Sequence, residues 1–274
     1  MCDDVPGHAR GNRPLVVPVE LGLYGGETLP LQPVEAVRIT TLVDNVTDML
    51  MGDIGPAKRP VLGGGPWSDN PYAAKGTTPQ VPTAEHGFSA LVEVIGESGA
   101  VRRVLFDTGV SPDGMVENMS RLEIDPGSVE VVVCSHGHFD HTMGMDGFVR
   151  RVGRPNLPVV VHPAFWSQRR VAFPGREPFE LPSSSRRSLE DAGFEIVERP
   201  EPSFLFDGSL LITGEVARTT DFEKGFAFHE VLQHGRWNPD PLILDDQSLV
   251  VNVRGKGLVV LTGCGHAGIV NIVR

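Results

Sequence analysis

Three histidines and one carboxylate fall within six residues of one another: His136, His138, Asp140 and His141, in CSHGHFDHTMG (134–144). Neutral imidazoles and a carboxylate are donors suited to Zn, Fe(II) or Mn(II). Four donors so close in sequence do not fit comfortably around one tetrahedral ion. The spacing therefore predicts two neighbouring ions, with His136 and His138 on one and Asp140 and His141 on the other. Paired ions clamp the attacking and leaving oxygens of a displacement and lower the pKa of bound water toward ~7. The chemistry expected is attack on a phosphoryl, acyl or lactone centre, with Asp140 ligating and orienting the nucleophile. The alternative is a solvated loop whose histidines cap the following helix, but loops rarely gather this donor set without a metal.

A second segment, LTGCGHAGIVN (261–271), places Cys264 and His266 on a strand-to-helix turn. His266 is the expected ligand there. Cys264 is a candidate ligand, its alternative being a small buried residue under the turn. Asp107 ends a strand in LFDTG (105–109). Asp-Thr-Gly also marks aspartic proteases, but those need two such aspartates sharing a proton, and this chain has one. Arg218 and Glu215 in GEVAR follow a strand and could reach the site mouth, where the planar fork of Arg218 suits a phosphate. A surface salt bridge is the equal alternative. His86 and His162 read as structural or rim residues, and His229 and His234 as surface residues of a polar loop.

The elements that must carry these residues are legible as periods. VRITTLVDN (37–45) alternates and reads as a strand. Residues 52–87 read as a long loop. FSALVEVIG and VRRVLFDTG read as a hairpin, 115–124 as a helix, and 183–193 as a helix with serine capping and a terminal glycine. The runs at 129–137 and 157–163 are continuously apolar and read as buried strands. Short strands follow at 194–198 and within 204–216, and 248–263 reads as a hairpin. The metal-type segment thus leaves the C-terminal end of a buried strand, where open α/β sheets bind ligands. Residues 1–36 read as a tail or irregular cap, 37–274 as one domain, and 174–182 as the best internal linker.

The chain of 274 residues has 24 Lys and Arg against 35 Asp and Glu, a net charge of −11. That charge disfavours nucleic acid and anionic membranes as partners and leaves a small-molecule substrate. Gly and Pro number 32 and 23, too many for a long helical bundle. The 3 cysteines are few and widely spaced, which reads as a reducing compartment, the cytoplasm. No apolar run approaches membrane-spanning length.

The H-x-H-x-D-H segment after an apolar strand resembles the metal motif of the metallo-β-lactamase superfamily. With VDN (43–45), EHGFSALVE, TGEVARTTDFE, DDQSLVV and the G-C-x-H-x-G-I-V-N segment, the chain is similar over 37–274 to one branch of it. That branch is typified by a synthase joining a dihydropterin to ribofuranosylaminobenzene phosphate. The resemblance implies an α/β fold, an αββα sandwich of two mixed sheets with metals at one edge, and Asp107 supporting the metal loop from behind its ligands. The superfamily's bridging acid is absent at the 263–266 turn, where Cys264 and His266 stand instead. It implies one or two divalent ions, zinc first and iron or manganese after it. It also implies a hydrolase-fold enzyme acting on a phosphorylated or pterin-type molecule. In a synthase the ions would stabilise a departing diphosphate while an aromatic carbon attacks the pterin methylene. Phe139, Phe226 and Trp237 are the candidates for stacking on a pterin. Branch members place a last metal histidine in a Gly-Gly-Phe-His-like segment that does not follow His266 here. The expectation is a chain lacking its C-terminal part, with an incomplete second half. A non-catalytic metal-binding fragment or degenerate relative is the alternative function.

Overall fold

Continuous apolar runs such as 131–133 and 158–161 satisfy their backbones best inside a sheet covered on both faces. The computed structural model, which describes residues 15–19, 29–61, 63–153 and 156–274, puts them there. A six-stranded sheet runs in the order Glu195–Glu198, Pro158–Val161, Val131–Val133, Val101–Phe106, Ser89–Ile95, Ala36–Val43. The first four strands are parallel neighbours and the last two pair antiparallel. A five-stranded sheet faces it, in the order Val16–Pro18, Ser203–Leu205, Leu210–Ile212, Ser248–Val253, Gly257–Thr262, antiparallel throughout. The expected α/β sandwich is therefore present, with its first sheet mixed and its second antiparallel.

Alternation sorts the core into layers. Val92, Val94, Val104, Phe106, Val131, Val133 and Val160 meet Leu205, Leu210, Ile212, Leu249 and Val251 between the sheets. The other face of the first sheet, with Leu91, Leu105, Val132, Val159 and Val161, is covered by helices. Met115 and Met119 come from helix Gly114–Arg121, and Phe148 from helix Met145–Val152. Glu93 lies buried on this sheet and is neutralised by Arg38 at 2.9 Å and Arg103 at 3.1 Å. Helix Arg186–Ala192 starts at Ser185, whose side chain accepts from Ser188 N, and stops at left-handed Gly193 (φ 102°).

Several expectations change. Residues 1–14 and 20–28 lie outside the described residues, but Val16–Pro18, in the stretch expected as tail or cap, forms an edge strand of the second sheet. The linker expected at 174–182 contains strand Phe179–Leu181. That strand belongs to a separate four-stranded antiparallel sheet with Arg169–Val171, His229–Gln233 and Arg236–Pro239. The long loop at 52–87 contains a small hairpin, Trp67–Asp69 with Thr77–Pro79. Among the described residues no helix is long and apolar enough to cross a membrane.

Candidate metal centre

Strand Val131–Val133 runs parallel between Val101–Phe106 and Pro158–Val161, so the segments after all three emerge at one edge. Asp107 leaves its strand in the left-handed region (φ 59°) and is fully buried. Its carboxylate accepts Ser135 N and Ser135 Oγ, each at 2.6 Å, and meets His141 Nδ1 at 2.7 Å. It thus lies behind His141 and pins the start of the histidine loop. The second sheet supplies the opposite wall, because strand Gly257–Thr262 delivers Gly263 against Ser135. A Cβ at Gly263 would lie 2.3 Å from Ser135 Oγ, so only glycine lets the Cys264–His266 turn come this close.

Two groups of donor atoms result, His136 with His138 and His266, and His136 with His141 and Cys264; within each, the atoms lie within 4.8 Å of one another. The hydrogen-bond partners fix the tautomers in the first group. Ser135 Oγ gives its one proton to Asp107, so the His136 Nδ1 contact at 2.8 Å must be a donation from the imidazole, which leaves Nε2 bare. His229 Nδ1 meets the carbonyl of Asp240 at 2.9 Å and can only donate to it. His229 Nε2 therefore accepts from His138 Nε2 at 2.9 Å, which leaves His138 Nδ1 bare. Two bare nitrogens, His136 Nε2 and His138 Nδ1, then face each other at 3.0 Å. His266 Nε2 is buried beside them and has no hydrogen-bond partner.

The two facing lone pairs of His136 and His138 repel each other unless a cation sits between them. The separation is also close to the ~3.3 Å between two imidazole nitrogens on one tetrahedral zinc. Burial and the neighbouring histidines keep the group neutral. His136 is held well below its usual range, His138 is pushed down to about 2, and His266 to about 4. His141 moves oppositely. Burial pushes it down, but the charge and hydrogen bond of Asp107, helped by Cys264, carry it up to about 11. Its Nε2 lies 3.1 Å from Cys264 Sγ, so a cation entering the second group would displace a proton.

The remaining candidates divide. Asp140 Oδ2 lies 3.6 Å from His141 Nε2 and 3.3 Å from His86 Nε2, at the mouth of the second group. Cys264 is exposed, not buried under the turn as its alternative had it. Arg218 Nη1 donates to the carbonyl of Val216 at 3.2 Å and Nη2 to that of Leu242 at 2.6 Å, so two arms of its fork brace a loop, while Nε has no hydrogen-bond partner. Glu215 Oε2 lies 3.5 Å from His162 Nε2, while His162 Nδ1 caps the 163–166 turn by accepting Ala164 N. Phe226 packs 6.4 Å from the His229 ring, and Phe139 packs against Phe179. Trp237 is covered by the Arg170 guanidinium in the four-stranded sheet. His229 was missed. It is fully buried, and its signal was the alternation of HEVLQ before a His234-Gly235 turn with both residues at positive φ.

A two-sheet sandwich with a histidine cluster at the strand ends is the plan of a metallo-hydrolase fold. The chain belongs to the metallo-beta-lactamase superfamily, whose profile it matches over residues 83–270. It is 31% identical over 199 residues to the 7,8-dihydropterin-6-methyl-4-(beta-D-ribofuranosyl)-aminobenzene-5'-phosphate synthase of Methanocaldococcus jannaschii, covering 70% of this chain and 65% of that protein. It is 29% identical to an uncharacterized protein of the same organism, covering 69% of this chain and 66% of that one. The chain thus spans about two thirds of the curated relatives it matches. The crystal structure of a metal-dependent hydrolase of the beta-lactamase superfamily superposes with TM-score 0.56 at 24% identity, covering 87% of this chain and 70% of the other.

Proposed function

We propose that the chain is a metal-dependent enzyme acting on a phosphorylated or pterin-type small molecule. One divalent ion is held by His136, His138 and His266, and a second by His141 and Cys264 beside Asp140, with zinc the first choice. The observation that carries this reading is the pair of bare nitrogens on His136 and His138 facing each other beside the buried, unpartnered Nε2 of His266. A buried polar atom without a partner costs ~1–3 kcal/mol, and a cation among the three relieves that cost.

When bound, the ions supply Lewis acidity and water activation near neutral pH. The chain's own residues do the positioning. Asp107 fixes the His141 ring, and His229 holds the His138 ring with Nδ1 inward. Asp140, beside His141, would ligate and orient the nucleophile. Similarity to the archaeal synthase favours transfer of a dihydropterin-methyl group to the aromatic ring with loss of diphosphate, Phe226 being the aromatic whose ring packs against that of His229. The net charge of −11 supports a small-molecule partner over nucleic acid, and sparse cysteine supports a cytoplasmic setting.

The test is elemental analysis of tag-free protein, followed by assays with phosphoesters and with dihydropterin diphosphate plus the ribofuranosylaminobenzene phosphate. About two ions per chain are expected, falling by about one in His266→Ala. Retention of full metal content in His136→Ala and His266→Ala would overturn the assignment of ligands.

A further inference from the structure

Behind the three nitrogens lies a buried charge pair whose purpose the ligand set alone does not explain. Arg169 is only 3% exposed and Asp245 1% exposed. The guanidinium grips the carboxylate with both arms, Nη1 to Oδ2 at 2.9 Å and Nη2 to Oδ1 at 2.6 Å. A fork of this kind fixes direction as well as distance. Asp245 Oδ2 also accepts the N–H of Gly137 at 2.8 Å, and Gly137 is the residue between His136 and His138. A Cβ on Gly137 would lie 2.2 Å from the carbonyl of Phe165 and 2.9 Å from Arg169 Nη1, so the loop is pressed onto this pair.

The same guanidinium reaches two more parts of the site. Nη2 donates to the carbonyl of Ala164 at 3.1 Å, tying in the turn that follows His162. Nε lies 3.7 Å from Asp240 Oδ2 and has no hydrogen-bond partner. Asp240 is the residue whose carbonyl sets the tautomer of His229 and, through it, of His138. One buried cation thus connects the peptide between two ligands to the group that orients one of them.

We propose that Arg169 is a positioning residue for the His136–His138–His266 ion, acting through Asp245 on the Gly137 peptide and through Asp240 on His229. This rests on the assignment of those three histidines as ligands. A buried ion pair gives little net stability, and replacing it with uncharged groups is often neutral. The use of this pair is therefore geometric.

The experiment uses the full chain and the variants Arg169→Lys, Arg169→Met and Arg169→Met/Asp245→Asn. The double variant removes both charges and keeps an oxygen to accept Gly137 N–H, which guards against simple misfolding. Zinc affinity is read by competition with a chromophoric chelator. Cobalt(II) spectra separate the two positions, because only the one containing Cys264 gives a sulfur-to-metal charge-transfer band. Circular dichroism and thermal melting report the metal-free fold.

The expected result is a roughly 10- to 100-fold loss of affinity at the all-histidine position in all three variants, with the sulfur band retained. Arg169→Lys should fall between the others and the native chain, since lysine restores charge but not the fork. Folded variants with native affinity at the all-histidine position would overturn the proposal. So would equal losses at both positions that track the melting temperature. Failure of the ligand assignment is distinguishable: the native chain itself would then show no all-histidine cobalt spectrum, and His138→Ala would leave its metal content unchanged.

Discussion

At the scale of single residues, the histidines are tuned in opposite directions, and this has a consequence for stability. In the unfolded chain all of them titrate near ~6.5. In the metal-free fold His138 and His266 stay neutral down to about 2 and about 4, and His136 is depressed as well. Below pH ~6.5 the unfolded state therefore takes up protons that the folded state refuses, and stability falls as pH falls. Each such histidine contributes a slope of up to about 1.4 kcal/mol per pH unit. Asp246, which burial lifts to about 6, opposes one of these slopes between roughly pH 4 and 6. His141 keeps its proton up to about 11 in the fold, so its contribution is complete below ~6.5 and is lost as pH rises toward 11. Metal-free stability should therefore peak near pH 6.5. Urea midpoints of chelator-treated protein between pH 4.5 and 9.5 check this, and a curve without a maximum would refute it.

At the scale of elements, the site depends on loops held closer than side chains normally permit. Gly263 has no unusual φ; it is glycine because Ser135 Oγ occupies the place of a Cβ. Gly263→Ala should overpack this contact by ~1–3 kcal/mol and push the Cys264–His266 turn outward. Zinc affinity should fall at least about tenfold, because His266 and Cys264 move together away from their partners. Thermal melting and zinc titration of the same variant test this, and unchanged zinc affinity would show that the turn is not held by this contact. The histidine loop was legible in the sequence because its donors are local and the strand before it is an unbroken apolar run. Asp107 was legible only as the residue ending a strand; its place behind the histidine loop was implied by the family resemblance alone, because Ser135 and His141, which it holds, lie 28 and 34 residues away. The four-stranded sheet was not legible. Its strands are short, and Arg169–Val171 opens with two arginines, one of them buried only because Asp245 neutralises it. A charged residue in a short segment reads as solvent-exposed until its distant partner is known. His229 was hidden in the same way among polar neighbours, and its partner His138 lies 91 residues away.

At the scale of the whole molecule, the two halves of the site ride on different sheets. The first sheet carries Asp107 and the His136–His141 loop, and the second carries the Gly263 turn with Cys264 and His266. The layer between the sheets therefore sets how far His266 stands from His136 and His138, whereas the layer under the helices does not. Leu249 and Met119 offer a matched comparison, for both are almost fully buried but lie in different layers. Leu249 pairs with Leu261, two residues before Gly263, whereas Met119 fixes helix Gly114–Arg121 to the outer face of the first sheet. Truncating either to alanine should cost ~2–5 kcal/mol of stability. Only Leu249→Ala should also weaken zinc binding at the all-histidine position, because it loosens the spacing between the sheets. Urea denaturation of the metal-free variants and chelator competition of the zinc-loaded ones separate the two effects. Equal loss of zinc affinity in both variants would mean that general stability, not sheet spacing, sets the affinity of the site.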